Sequence, residues 1–243
     1  VLCKTGQVDS CIVVANRCLQ IFGNNNKLTA LASYSTISEQ LASDRTIQME
    51  ELQFVGHNEC WSPVPYGNAI IFTAPSNSKK GKDSWTGKPF TQLYIGDPAN
   101  GKNQPVTIDM AVDMHTGSPA IYDSKMMYFT SNSLKPTKYN EYNLHIAMAG
   151  KTNGGQWVHS GIFPYSSPEY STAYPCFSAN DSIMIFSSDK MGGKGGFDLY
   201  MCHWKLGKWD EPIHLMEIST TADDIFPWID GDDTLYFSTE GLS

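Results

Sequence analysis

The sequence predicts an all-β protein, a β-propeller of four-stranded blades, and three observations predict it. Four segments share one pattern, a proline, a polar turn and an apolar run that closes on phenylalanine: Pro63 to Phe72, Pro119 to Phe129, Pro175 to Phe186 and Pro227 to Phe237. The prolines recur after 56, 56 and 52 residues and the phenylalanines after 57, 57 and 51, a period that holds several strands and marks radial β repeats. In Ile183-Met184-Ile185-Phe186 successive residues are apolar, so both strand faces are greasy, as a sheet sandwiched between neighbours requires.

The unit that shows the pattern best runs from Tyr174 to Tyr200. Tyr174-Pro175-Cys176-Phe177-Ser178 is a first strand, Ala179-Asn180-Asp181 a turn and Ser182 to Asp189 a second strand. Met191 to Gly196 is a glycine-rich connection, and Phe197-Asp198-Leu199-Tyr200 opens a third strand. Leu93-Tyr94-Ile95 and Leu144-His145-Ile146 are the matching third strands, and Trp157 and Trp209 open fourth strands after turns at Gly154-Gly155-Gln156 and Gly207-Lys208. The units are expected over about Glu59 to Met110, Asp113 to Ser167 and Thr172 to Ser219. A fourth begins at Phe226-Pro227-Trp228 and reaches Ser243 with two strands written. Three and a half units are few for a closed ring, so further blades are expected beyond Ser243.

Residues 1–45 follow a different rule. Asp9 is a candidate N-cap for a helix carrying Ile12, Val13, Leu19 and Phe22, and Gly23 stands at its C-terminal stop. A second helix is expected from Lys27 to Ser43, with Leu28, Leu31, Ala32 and Leu41 as its stripe. The pair reads either as the end of a tetratricopeptide-like array or as a lone helical cap. The propeller is assigned to residues 46–243, with Thr46 to Val55 extended and able to lend an outer strand to a blade.

Composition removes several functions. The chain has 243 residues and a net charge of -8, which disfavours nucleic acid as a partner because phosphate binding needs a concentrated basic face. No apolar run of about 18 residues is present, so no membrane insertion by a helix of this chain is expected. The six cysteines, Cys3, Cys11, Cys18, Cys60, Cys176 and Cys202, form no CxxC pair and no finger spacing with histidine, so no metal and no cofactor is assigned. Cys176 and Cys202 fall in apolar strands and read as small hydrophobes, with a disulfide as the alternative.

Tyr174-Pro175-Cys176-Phe177-Ser178, Phe186-Ser187-Ser188-Asp189, Gly192 to Tyr200 and Trp209-Asp210-Glu211-Pro212 together resemble the WD-like propeller repeat of TolB and of OmpA-family proteins. Among these the PorE-type components of the type IX secretion system are the most similar. The resemblance covers Glu59 to Ser243, is strongest in the third unit, and lacks the glycine run in the first. It implies a non-enzymatic scaffold in the periplasm, associated with the outer membrane, with protein partners among secretion-system or envelope components. The peptidoglycan-binding domain of that family has no counterpart in these residues, and no catalytic residue carries over.

Four sets of residues could carry chemistry. Gly192 to Gly196 lacks the GxxxxGK pattern of a phosphate loop and leads into a strand, so it reads as a tight connection needing positive φ. Asp230-Gly231-Asp232-Asp233 lacks the glutamate of a calcium loop, whose place falls on Gly241, and reads as a hairpin turn. Acids precede each innermost strand: Glu59, Asp113, Glu169, and Asp223 with Asp224. In a propeller such positions gather near one mouth of the channel, where glycosidases keep paired carboxylates; the plainer reading is a solubilising acid copied by the repeat. The acids and loop aromatics such as Trp85 keep a glycan-binding or glycan-cleaving propeller as the alternative function.

Second-to-third-strand connections carry Lys79, Lys80, Lys82, Lys88, Lys135, Lys138, Lys190 and Lys194, expected as a basic sector for an acidic partner. Asp181-Ser182-Ile183 and Asp233-Thr234-Leu235 share one hairpin position and resemble the Asp-(Ser/Thr)-aliphatic acceptor of periplasmic O-glycosylation, which makes Ser182 and Thr234 candidate glycan sites; both also suit ordinary turns.

Overall fold

The computed structural model describes residues 13, 16–21, 23, 52–77, 82–83, 86–110, 114–133, 135–138 and 141–241. The chain divides into two compact units, Val1–Glu51 with Leu242–Ser243, and Leu52–Gly241. In the first unit residues 16–21 are helical, and Gly23, at φ 77°, donates its N–H to the Leu19 carbonyl at 3.0 Å. That is the expected left-handed stop, satisfying a carbonyl that the helix end leaves open. The second expected helix lies outside the described residues.

The second unit is three four-stranded antiparallel blades and the first two strands of a fourth. Blade 1 is β1 (Trp61–Tyr66), β2 (Ala69–Pro75), β3 (Thr91–Gly96) and β4 (Asn103–Pro105). Blade 2 is β5 (Thr116–Tyr122), β6 (Met126–Asn132), β7 (Leu144–Lys151) and β8 (Trp157–Ile162). Blade 3 is β9 (Thr172–Phe177), β10 (Ile183–Ser188), β11 (Asp198–Lys205) and an outer strand in two pieces, β12 (Lys208–Trp209) and β13 (Ile213–His214), both paired with β11. Pro212 falls in the interruption, where no ladder donor is needed. Blade 4 holds β14 (Asp224–Ile229) and β15 (Leu235–Thr239). The innermost strands β1, β5, β9 and β14 are neighbours in sequence around the axis. The fold is the β-propeller that the repeat spacing predicts.

The alternation of strand faces distributes the core between blades. Ile71, Leu93, Met127, Phe129, Ala147 and Trp157 fill the seam of blades 1 and 2, while Tyr128, Ile146, Phe163, Met184, Phe186 and Trp209 fill that of blades 2 and 3. The Trp209 indole N–H reaches the Tyr128 hydroxyl at 3.0 Å, so a buried polar tip is satisfied across the seam. Residues 52–55 are not strand, against the expectation. Instead Phe54 stacks on Phe72 at 4.2 Å and closes the far face of blade 1, and Val55 donates to the Gly101 carbonyl. One aromatic ring covers apolar surface that an outer strand would otherwise have to meet.

Candidate functional site

The repeat proline has a structural cause. In every innermost strand the ladder skips at one place: Trp61↔Thr73 is followed by Val64↔Ile71, Gly117↔Thr130 by Ala120↔Tyr128, Ala173↔Ser187 by Cys176↔Ile185, and Ile225↔Ser238 by Trp228↔Tyr236. Two residues therefore stand opposite one, a β-bulge, and the pairs are Ser62-Pro63, Ser118-Pro119, Tyr174-Pro175 and Phe226-Pro227. The single residue opposite is the repeat phenylalanine, Phe72, Phe129, Phe186 or Phe237. Proline suits the second bulge position because it brings no N–H that the broken ladder would orphan. The first position lies in the left-handed region, with φ 51° at Ser62, 44° at Ser118, 59° at Tyr174 and 55° at Phe226. Non-glycine residues held there carry strain that the surrounding packing must offset.

These bulges line a groove of about 430 Å³ running along β1, β5, β9 and β14. Its two ends differ. At blades 1 and 2 the Ser62 and Ser118 hydroxyls meet at 3.3 Å, whereas at blades 3 and 4 the Tyr174 and Phe226 rings lie 4.3 Å apart. Phe226 and Trp228 are 46% and 57% exposed, which leaves apolar surface open to a partner. Cys176 also lines the wall, but burial pushes its thiol up to about 12, so it stays protonated and is no nucleophile. Cys176 and Cys202 are free and buried, as expected of small hydrophobes; Cys3 and Cys11 lie outside the described residues.

Strand order puts the acids and lysines on one face. Connections in an antiparallel blade alternate ends, so second-to-third-strand loops and blade-to-blade connections emerge together. Lys194 Nζ donates to the Ser219 carbonyl at 3.2 Å, Phe197 N–H to Asp223 Oδ1 at 2.9 Å, and Lys190 Nζ stands 5.9 Å over the Tyr170 ring. Lys82 and Lys88 flank Asp83 in the loop before β3, and Lys135 and Lys138 lie in the loop before β7. The described members of both sets therefore lie at the same end of the blades. Lys79, Lys80, Asp113 and Trp85 lie outside the described residues.

Of the described acids, Glu59 and Glu169 are exposed. Asp224 is fully buried at the head of β14, where its carboxylate accepts the Thr220 N–H at 2.6 Å and the Thr220 hydroxyl at 3.1 Å. Among the described residues no hydrogen bond or ion pair joins two of these carboxylates. Asp223 and Asp224 are thus engaged with the backbone, and Glu59 and Glu169 stand one per connection.

Gly192 to Gly196 forms a strand connection, with one change of reason. Gly192 alone in this run has a positive φ, 97°. The other glycines are needed for space: a Cβ on Gly193 would stand 1.9 Å from Asp198 Oδ2, on Gly195 2.2 Å from the Ala222 carbonyl, and on Gly196 2.1 Å from Asp223 Oδ1. The loop wraps Asp198, a fully buried carboxylate that accepts N–H groups of Lys194 at 2.9 Å and Gly195 at 3.3 Å. Asp230 at the β14–β15 turn accepts the N–H groups of Asp232 and Thr234, both at 2.9 Å, which is a hairpin turn held by its own side chain.

One constellation escapes sequence reading. Asp83 Oδ2 lies 3.7 Å from His115 Nε2, and His115 Nδ1 is 3.2 Å from Thr91 Oγ1, in the order of a nucleophile, base and acid. Its chemistry is that of a clasp. His115 Nδ1 accepts the Thr91 backbone N–H at 3.2 Å, and the Thr91 hydroxyl donates to the Thr116 carbonyl at 3.0 Å, so base and proton are both engaged elsewhere. The three residues are far apart in sequence, and no spacing rule joins them.

The glycan candidates occupy the opposite ends of the blades, at first-to-second-strand hairpins. Ser182 is half-buried and its hydroxyl donates to Asn180 Oδ1 at 2.6 Å, while Thr234 is exposed. Beside Ser182, Asp181 accepts the Asp123 N–H at 2.9 Å and so ties two hairpin tips together; burial raises its carboxyl above the usual range despite that bond.

No protein-family model matches the sequence, and no curated protein is significantly similar to it. Solved structures do match. A putative TolB from Agrobacterium tumefaciens superposes with a TM-score of 0.51 at 12% identity, over 79% of this chain and 58% of that one. TolB from Acinetobacter baumannii gives 0.47 at 15% over 74% and 37%, and an α-L-arabinofuranosidase from Lactobacillus brevis gives 0.46 at 15% over 75% and 66%. The chain therefore spans less than two thirds of the TolB structures it matches, and the likeness concerns the fold alone, a β-propeller.

Proposed function

We propose that the propeller is a non-enzymatic interaction scaffold, exported to the periplasm and associated with the outer membrane, of the PorE type found in type IX secretion. The observation that carries the reading is the groove of the bulged inner strands, in which Phe226 and Trp228 present open aromatic surface beside proline-rich walls. Such a surface supplies the anchors on which protein contacts concentrate their affinity. The exposed aromatics Trp61, Trp228 and Tyr236 also support a second reading, a glycan-binding or glycan-cleaving propeller.

Cross-linking of the tagged chain in the envelope of a type IX-secreting bacterium tests the first. Capture of envelope proteins that is lost in the Phe226→Ala, Trp228→Ala variant supports it. Capture that the double variant leaves unchanged overturns it, and binding on a glycan array or turnover of aryl-glycosides transfers the assignment to the second.

A further inference from the structure

A second cavity, of about 540 Å³, lies away from the groove, between the connection of blades 1 and 2 and the outer half of blade 2. Its size is that of a small-ligand site. His145 forms its deep wall. Register explains the placement: Ala147 and Ala149 face blade 1, His145 two residues earlier shares that face, and His159 joins it by pairing with Ala149.

The His145 side chain is buried, with the residue 8% exposed, and its ring makes no hydrogen bond among the described residues. The ring nitrogens open onto the cavity and offer a donor and an acceptor that a ligand seated there can use. The floor is apolar, with Met114 buried and Ile162 50% exposed. The rim carries both charges, Lys135 from the β6–β7 loop and Asp109 from the blade connection, and neither is in an ion pair among the described residues. No cluster of three metal-ligating side chains occurs among the described residues.

We infer that this cavity binds a small zwitterion with an apolar body, of the class of a hydrophobic amino acid or dipeptide. Its carboxylate meets Lys135, its ammonium Asp109, its amide or head group His145, and its side chain the methionine and isoleucine floor. The site goes beyond the scaffold reading and does not depend on it, because it shares no residue with the groove.

The test uses the whole chain and the dipeptide Leu-Phe, with its N-acetyl and C-amide forms, followed by the imidazole resonances in histidine-selective NMR. The expected result is a saturable shift of the His145 and His159 signals by the free dipeptide, weakened about fivefold by either blocking group. Lys135→Met is expected to weaken the free dipeptide to the same degree and to leave the C-amide unaffected. Asp109→Asn does the same for the N-acetyl form. Both positions are exposed, so the variants fold. Absence of a saturable shift overturns the inference, as does equal binding of free and blocked probes or indifference to both variants.

Discussion

The Thr130 hydroxyl accepts the backbone N–H of Tyr174 at 2.8 Å, and this bond joins the second strand of blade 2 to the bulge of blade 3. The same bond one blade earlier runs from the Ser118 N–H to Thr73 Oγ1 at 3.2 Å. A bulge frees a donor from the ladder, and the preceding blade supplies the acceptor. Ser187 occupies the third such position, yet its buried hydroxyl has no partner among the described residues. Thr130→Val is isosteric and leaves the Tyr174 N–H orphaned, so it should cost about 1–3 kcal/mol in urea unfolding. Ser187→Ala removes a hydroxyl that bonds nothing and should be neutral or slightly stabilising. Equal losses in both would break the relay.

The strain at the bulges gives a second expectation. Ser118 stands at φ 44°, where glycine is free of the Cβ penalty and a β-branched residue is not. Ser118→Gly should change stability by less than about 1 kcal/mol, because relief of roughly that size offsets loss of the contact with Ser62. Ser118→Val should be destabilising by more than about 1 kcal/mol. Thermal unfolding of the two variants measures the difference, and Val as tolerable as Gly would mean that the position is unstrained.

Much of the fold was legible because the bulge repeats. Proline and phenylalanine recur together since one fills the bulge and the other stands opposite it, so their spacing marked the inner hairpin of every blade. The left-handed residue before each proline left no trace, as serine, tyrosine and phenylalanine share no property that announces positive φ. The charged sets were legible as residues but not as a surface: strand order, which puts both on one face, emerges only when the blades are assembled. His145 read as part of a third strand, and its empty ring could not be seen until the blade 1 connection stood opposite.

The glycine loop offers a third test. Gly195→Ala drives a methyl against the Ala222 carbonyl, which belongs to backbone and cannot swing away. The loop must shift, and with it the N–H groups that hold the buried Asp198 carboxylate. Loss of hydrogen bonds to a buried charge predicts destabilisation of about 2 kcal/mol or more. Gly192→Asn, at a left-handed position with open space around it, should cost far less. Unfolding midpoints of the pair decide whether space, and not φ alone, requires glycine in the run.

Two histidines set a pH dependence. Burial lowers the pKa of His145, helped by the neighbouring charge of His159, and burial lowers that of His57 beside Phe72 and Tyr94 against a smaller raising effect of Asn103. Between a lowered folded value and the unfolded value near 6.5, the unfolded chain holds more protons, so stability rises with pH in that window. The contribution is complete above about pH 6.5 and is lost as the pH falls below it. Melting curves from about pH 7.5 down to pH 5 should show His145→Gln losing less stability on acidification than the parent chain. An identical slope would place the ring in water.

The two hairpin positions that resemble glycan acceptors differ in structure, and the difference orders them. Thr234 is exposed, and its N–H, but no bond of its hydroxyl, is engaged by Asp230. Ser182 is half-buried, with its hydroxyl proton on Asn180 at 2.6 Å and its N–H on the same oxygen at 3.0 Å. A transferase must reach the hydroxyl and take its proton, which at Ser182 means breaking a short local bond first. If the chain is exported and modified in its native host, Thr234 should carry glycan at higher occupancy than Ser182, and Asn180→Ala should raise occupancy at Ser182. Peptide mass spectrometry of native material reads both numbers. Bare polypeptide at both positions would leave the turns as turns, held by Asn180 and Asp230 for their own hydrogen-bonding reasons.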